Sequence, residues 1–267
     1  MLADWEHVCS FLDSALKRLL DAIGAGLLLV VFAPFILVVA VAIKVDSRGP
    51  VLYHCRRVGS QGREFWMLKF RKMHDRATGP ALTVSEDTRL TRVGRFLARS
   101  KIDEIPQLWN VLRGQMSLVG PRPEDPGFVR LRPADFDVIH QVKPGITGLS
   151  QLAFARESEL LDPADRLGDY LERFLPQKIA LDRMYVARRT IWSDLSILAW
   201  TVTAIPLRRE VAVNRQTIEL TVRRRPVASE LVPHSAALTV SVPSAPLSDA
   251  LVQSASTSSE EPIRPWN

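Results

Sequence analysis

The chain has 267 residues, room for one sizeable domain with a membrane segment and a tail. Its 35 Lys and Arg against 29 Asp and Glu give a net charge of +6, and residues 44–132 hold 18 basic residues against 9 acidic ones. That field favours an anionic partner (nucleic acid, an anionic lipid surface or a phosphorylated substrate), while the two cysteines, Cys9 and Cys55, exclude a disulfide framework and have no metal-ligand spacing.

Residues 22–43 run without a charged side chain as AIGAGLLLVVFAPFILVVAVAI. At about 1.5 Å per residue, a helix of that length reaches across a ~30 Å hydrocarbon core. Buried helices of soluble proteins rarely need such a run. As a secretory signal, for which Ala40-Val41-Ala42 mimics a cleavage site, it is too long and starts too late. Pro34 predicts a kink near its middle. The helix then either spans with a bend or turns back with both ends on one face. Lys44, Arg48, Arg56 and Arg57 put the C-terminal flank in the cytoplasm, while mixed charges leave the N-terminal flank open.

Next, VLYHCRRVGSQGREFWMLKFRKM predicts two strands around a turn at residues 59–62, with Lys69 and Arg71 on one face of the second arm. Residues 88–99 read as a short basic helix, with Leu90, Val93 and Leu97 at helical spacing. In KIDEIPQLWNVLRG, Pro106 suits a first turn and Gly114 a position past the end, predicting a helix over 104–113. Asp103 and Glu104 at its start are open to two readings. They are ordinary capping acids, or, close to Arg89, Arg92, Arg95, Arg99 and Lys101, they are chemistry. A carboxylate beside a bound phosphate can act as nucleophile, and its neighbour can hold Mg2+.

In Gly120-Pro121-Arg122-Pro123 the prolines hold Arg122 extended, either as a stiff surface loop or braced to grip phosphate in bidentate fashion. Asp135-Phe136-Asp137 matches a D-x-D metal motif but reads better as a solvated helix start. The five histidines (His7, His54, His74, His140, His234) show no metal or triad spacing. A helix is predicted over 165–185, interrupted at Pro176, and an interfacial or core helix over 195–205. Residues 226–267, with six prolines, nine serines and no glycine, predict a disordered tail. Arg223-Arg224-Arg225 ahead of it is a solvated linker or a contact for anionic headgroups.

Taken in order, these elements resemble the bacterial sugar transferase family, the monotopic polyprenyl-phosphate phosphoglycosyl transferases. The resemblance is carried by KRLLDAIGAGLLL with its mid-helix proline, RRVGSQGREFWMLKFRKM, KIDEIPQLWNVLRGQMSLVGPRPE, KPGITGLSQ, LDRMYV and IWSDLSIL, over about residues 17–205. It implies an α+β, mostly helical fold. An N-terminal segment (1–16) precedes a re-entrant membrane helix (17–44). A compact cytoplasmic catalytic domain with a small β-hairpin (45–206) follows, and then a linker and disordered tail (207–267).

The resemblance also implies a two-step reaction. Asp103 attacks the sugar-linked phosphate of a UDP-sugar and releases UMP, and polyprenyl (undecaprenyl) phosphate then takes the phosphosugar from the enzyme. Glu104, with Asp103, matches the Mg2+ site, and Arg122 and Pro123 match the nucleotide motif. Arg99, Lys69 and Arg71 are the further candidates for substrate binding. The partners are a nucleotide sugar, the lipid phosphate and the inner membrane, with no nucleic acid. Three departures stand out: Ala33 precedes Pro34 where the family commonly has Ser, Ala98 precedes Arg99 where two adjacent cations are usual, and the familiar S-L-D-E-L-P is K-I-D-E-I-P. The rival readings are a membrane-tethered nucleic-acid binder, which lacks a reading helix or aromatic platform, and a non-catalytic scaffold.

Overall fold

The computed structural model describes residues 2–222 apart from residues 80, 81, 85, 86, 163, 208 and 215–217, with side chains from residue 15 onward. The predicted disordered tail and Arg223-Arg224-Arg225 lie outside the described residues. The apolar run is the centre of one long helix, α1 (Leu2–Asp46), which continues through Pro34. Residues 15–46 of it are long and apolar enough to cross a membrane.

Both ends of the apolar stretch dock on the rest of the chain, and its middle does not. On the N-terminal side, Ala25 is fully buried and clusters with Leu108, Val111 and Met116. Arg18 donates to the carbonyls of Val111 (2.6 Å) and Leu112 (2.7 Å), and Asp21 Oδ1 accepts from the Leu118 N–H at 3.1 Å. On the C-terminal side, Val39 and Ile43 cluster with Phe70 and Leu97, and Asp46 Oδ2 accepts from the Val93 N–H at 2.9 Å. Between these anchors Leu27, Val30, Val31, Phe35, Leu37 and Val38 are exposed.

The predicted hairpin is present as β1 (Leu52–Val58) and β2 (Glu64–Phe70), antiparallel, with Val58 opposite Glu64. One expectation fails here. β2 stops at Phe70, so Arg71 does not share a face with Lys69. Its buried guanidinium instead donates to the Arg48 carbonyl (2.6 Å), the Ser47 carbonyl (2.8 Å) and Ser47 Oγ (2.9 Å), tying down the exit from α1.

The basic helix α2 (Arg92–Ser100) starts later than expected because Thr91 is its cap, with Oγ1 accepting from the Gly94 N–H at 2.9 Å. The helix expected over 104–113 is also shorter. Lys101 adopts a left-handed conformation that ends α2. The chain then makes a 3-10 turn (Ile102–Glu104) before α3 (Gln107–Leu112). Pro106 has no N–H to donate, so the turn closes on tighter bonds, Glu104 N–H to the Lys101 carbonyl (3.2 Å) and Ile105 N–H to the Ile102 carbonyl (3.1 Å).

Asn110 on α3 joins the helix to the hairpin. Buried at 1% exposure, it accepts from the Leu68 N–H (3.0 Å) and donates to the Trp66 carbonyl and Gln115 Oε1 (both 2.8 Å). Asn110→Ala strands two strand groups and is expected to cost about 3 kcal/mol, at 1–3 kcal/mol per buried unmet group. Thermal unfolding in detergent micelles checks this.

The remainder alternates short elements: β3 (Ser117–Val119), α4 (Pro126–Leu131), α5 (Pro133–Phe136), β4 (Gly145–Thr147), α6 (Leu149–Ala153), α7 (Glu157–Leu160) and α8 (Arg166–Asp169). β3 and β4 pair in parallel. A π-helical turn (Tyr170–Phe174) leads into α9 (Leu175–Arg188), so the interruption near Pro176 is real, with the proline in the first turn of α9. α10 (Ile191–Ala204) opens on a Thr190–Ser193 capping box. Asp194, which divides the apolar stretch in the sequence, accepts from Tyr185 Oη (2.7 Å) and Lys17 Nζ (2.5 Å) and so joins α9, α10 and α1.

Two main cores support this part of the chain. One gathers Phe128, Phe136, Tyr170, Phe174 and Leu175; the other gathers Val119, Leu149, Leu181, Tyr185 and Ile197. Phe136 explains the D-x-D sequence, since the ring is buried and Asp135 lies among Arg132 and Arg183 at the surface. A second hairpin, β5 (Val211–Val213) and β6 (Leu220–Val222), packs Val211 into the second core within a stretch that reads as linker in the sequence.

Candidate active site

The 3-10 turn carries the two acids. Asp103 is buried, at 2% exposure, and its Oδ2 lies 3.3 Å from Lys72 Nζ. Its Oδ1 is buried with no hydrogen-bond partner among the described residues. Glu104 Oε1 accepts from Lys69 Nζ at 2.8 Å. Burial alone would raise the Glu104 pKa, but Lys69, Lys101 and Arg122 outweigh it and hold the carboxyl at about 2. Burial likewise opposes the Lys69 charge, and Glu104 and Asp103 more than offset it, so that pKa is raised. Glu104 is therefore ionised throughout the physiological range.

Arg122 reaches the same cleft as Glu104 from a separate loop of the chain. The Gly120–Pro123 loop leaves β3 and is pinned to β4 by the Gly120 N–H to the Thr147 carbonyl (2.9 Å) and the Gly145 N–H to the Pro121 carbonyl (2.8 Å). Pro123 is buried and stiffens the loop. Arg122 Nε lies 3.7 Å from Glu124 Oε1, and Glu124 Oε1 accepts from Tyr170 Oη at 2.8 Å. Lys178 Nζ donates to Glu157 Oε2 at 2.5 Å and lies 3.5 Å from Tyr170 Oη. A buried polar network thus stands behind the arginine and fixes where it points.

Glu104 and Arg122 meet at a cleft of about 190 Å³, and Asp103 lies one residue before Glu104, outside its lining. Its polar lining includes Lys101, Glu104, Arg122 and Gln151, and Ile105 and Phe154 belong to its apolar wall. Of the residues singled out in the sequence, the structure brings together Asp103, Glu104, Lys69 and Arg122. Arg71 is spent on α1, and Arg99 is exposed on the last turn of α2, outside the cleft lining. Lys101, one of the cations noted ahead of the acids, lines the cleft, whereas sequence reasoning missed Lys72 and the Glu124–Tyr170–Lys178–Glu157 network. The only signal for that network was the position of GPRPE, since its other members come from distant elements.

Mg2+ commonly takes one or two carboxylates and completes its shell with phosphate oxygens and water. Among the described residues no group of three or more His, Cys, Asp or Glu forms a closed cage. Glu104, ionised and adjacent to Asp103 on the same turn, is the carboxylate that would anchor such an open set.

Asp182, on α9, accepts from the Arg122 N–H at 3.3 Å, and burial pushes its pKa up to about 7 against hydrogen bonds from Ser150 and Arg122. The folded value lies above the ordinary 3.8, so the fold prefers the protonated acid. Stability from this group is full below pH 3.8 and is lost as the pH rises through 7. Asp182→Asn keeps an acceptor for the Arg122 N–H. It is expected to raise the Tm above wild type at pH 8, with the gap closing towards pH 4.

The sequence profile described as bacterial sugar transferase matches residues 12–208. The chain belongs to the bacterial sugar transferase family. The matched span of this sugar transferase includes both acids, the arginine loop and all of the cleft lining, and it stops short of the β5–β6 hairpin.

Among its relatives is the UDP-glucose:undecaprenyl-phosphate glucose-1-phosphate transferase of Caulobacter vibrioides, 41% identical over 194 residues, covering 71% of this chain and 69% of that one. The undecaprenyl-phosphate glucose phosphotransferase of Komagataeibacter xylinus is 41% identical over 199 residues, 71% of this chain but 36% of that protein. The exopolysaccharide production protein PSS of Rhizobium leguminosarum bv. phaseoli is 38% identical over 203 residues, 72% of this chain and 96% of its own length. The chain therefore spans most of some relatives and little more than a third of others.

Proposed function

We propose that this chain is a phosphoglycosyl transferase that moves a sugar phosphate from a UDP-sugar to undecaprenyl phosphate through a covalent intermediate on Asp103. The observation that carries the reading is the asymmetry of the Asp103 carboxylate. Lys72 holds Oδ2, while Oδ1 is buried with no hydrogen-bond partner among the described residues, one position before Glu104 of the cationic cleft. An unmet buried oxygen costs stability and needs a reason. Attack by Oδ1 on the sugar-linked phosphorus forms an acyl phosphate, and the bond to the bridging oxygen breaks, releasing UMP. A phosphate oxygen of the lipid then attacks the same phosphorus, and the Asp103 carboxylate leaves.

Arg122, which lines the cleft and is braced by Glu124, neutralises the phosphate oxygens as charge shifts between them, while Lys69 holds Glu104 in place. Mg2+ held by Glu104 and Asp103 would add a further neutralising charge. The relatives whose names carry UDP-glucose and undecaprenyl phosphate support this choice of substrates. A panel of UDP-sugars tests it: UMP release that needs one sugar nucleotide, and a lipid product that needs undecaprenyl phosphate, are expected. No release with any sugar nucleotide would leave a non-catalytic scaffold.

The same reading makes α1 re-entrant, with the catalytic domain on the cytoplasmic face of the inner membrane, where UDP-sugars are found. Ala25 and Val39 both dock on one domain, and the 14 helical steps from one to the other cover about 21 Å, short of a ~30 Å hydrocarbon core. The exposed Trp192, Leu195 and Val202 of α10 suit the interface. With Cys9 and Cys55 replaced, single cysteines at Asp4 and Lys44 are expected to label from the same side. Labelling from opposite sides would mean that the helix spans.

A further inference from the structure

Lys101 has φ 59° and ψ 13° where α2 ends and the turn carrying Asp103 begins. A left-handed residue is a common way to end a helix, and glycine is its usual occupant because it has no Cβ to clash. A lysine there costs stability, so its side chain has to be accounted for.

That side chain lines the cleft beside Glu104 and Arg122. Three cations line the cleft, and two already have carboxylate partners: Arg122 with Glu124 at 3.7 Å, and Lys178 with Glu157 at 2.5 Å. Just behind the acids, Lys69 is bound to Glu104 at 2.8 Å and Lys72 to Asp103 at 3.3 Å. Among the described residues, Lys101 is the one cation lining the cleft with no ion pair. Arg99, two residues earlier, is exposed and outside it.

We propose that Lys101 is a phosphate-binding residue of this chain, its ammonium taking a phosphate oxygen carried into the cleft beside Arg122. The ligand's identity as a phosphate ester rests on the transfer reaction proposed above; the need for an anion rests on the cleft. Lys101 lies two residues before Asp103, and with Arg99 outside the cleft it is the residue of this stretch that adds a positive charge to the lining beside Glu104 and Arg122. Two ligands bring the same chemistry, the diphosphate of the sugar nucleotide and the monoester of the lipid. A position next to both acids suits either.

The test uses the full chain in detergent as wild type, Lys101→Ser, Lys101→Gly and Lys101→Arg. Binding of UDP and of uridine is measured by calorimetry, and KM for the UDP-sugar and for undecaprenyl phosphate by turnover. For a single charged contact, Ser and Gly are expected to weaken UDP binding or raise a KM roughly tenfold, with uridine unchanged and Arg close to wild type. Lys101→Gly relieves the left-handed strain, so its Tm should equal or exceed that of wild type, which separates lost binding from lost folding. An effect on UDP alone assigns the nucleotide diphosphate, one on the lipid KM alone assigns the lipid phosphate, and one on both assigns a phosphate position shared by the two steps. Unchanged UDP affinity and unchanged KM values in Ser and Gly overturn the proposal. A wild type that binds UDP through Lys101 but turns over no UDP-sugar would instead sink the transfer reaction and leave the phosphate contact standing.

Discussion

Asp103→Asn is expected to lower kcat by at least ~10³-fold while leaving the Tm within a few degrees of wild type. The amide fits the same buried space but cannot form an acyl phosphate. The partner it abandons, Lys72, has a side chain 27% exposed and can hydrate, so the lost ion pair costs little folding energy. A purely structural role predicts the reverse, a fall in Tm with turnover retained. Steady-state kinetics and thermal unfolding on one preparation separate the two. Glu104→Gln is the informative companion, because it leaves the nucleophile intact and removes the carboxylate that holds Lys69.

The second large effect is structural and reaches the site through the backbone. A Cβ on Gly145 would lie 2.0 Å from the Gly120 nitrogen and 2.5 Å from the Thr147 carbonyl oxygen. No side-chain rotation relieves a clash with backbone. Gly145→Ala must therefore push β4 away from β3, losing the Gly145 to Pro121 and Gly120 to Thr147 hydrogen bonds that pin the arginine loop. At about 1–3 kcal/mol for each buried group left unmet, the cost is at least ~3 kcal/mol, or on the order of 10 °C in Tm for a domain of this size. Turnover should fall as well, because Arg122 moves with its loop. An unchanged Tm would mean that the two strands do not approach this closely.

The sequence was most informative where a local pattern carries its own geometry. The uncharged run announced α1, the Gly59–Gly62 turn announced the first hairpin, and Pro106 and Gly114 bracketed α3. It was least informative where one residue's role depends on a distant partner. Arg71 and Lys69 look alike on a strand pattern, but β2 ends between them, and one faces the acids while the other holds the α1 exit. Lys17, Arg18 and Asp21 read as flanking charges of a membrane helix, yet each is an anchor: Arg18 meets the last carbonyls of α3, Asp21 a backbone N–H of β3, and Lys17 the Asp194 carboxylate of α10. The shortened α3 came from the left-handed Lys101, a backbone state that no residue-type preference for lysine would suggest. The β5–β6 hairpin was missed because its strands are three residues each and earn their place by packing on the second core.

The account stands on Asp103 carrying the phosphosugar, and the most direct measurement follows that group onto the protein. Wild type and Asp103→Asn are mixed with UDP-sugar labelled in the sugar-linked phosphate, without lipid, quenched within one turnover and analysed by intact and peptide mass spectrometry. The account predicts one equivalent of UMP and a labelled phosphosugar on the peptide containing Asp103 in wild type only, discharged when undecaprenyl phosphate is added. UMP release that waits for the lipid and never labels the protein would contradict it, and would mean direct transfer between the two substrates.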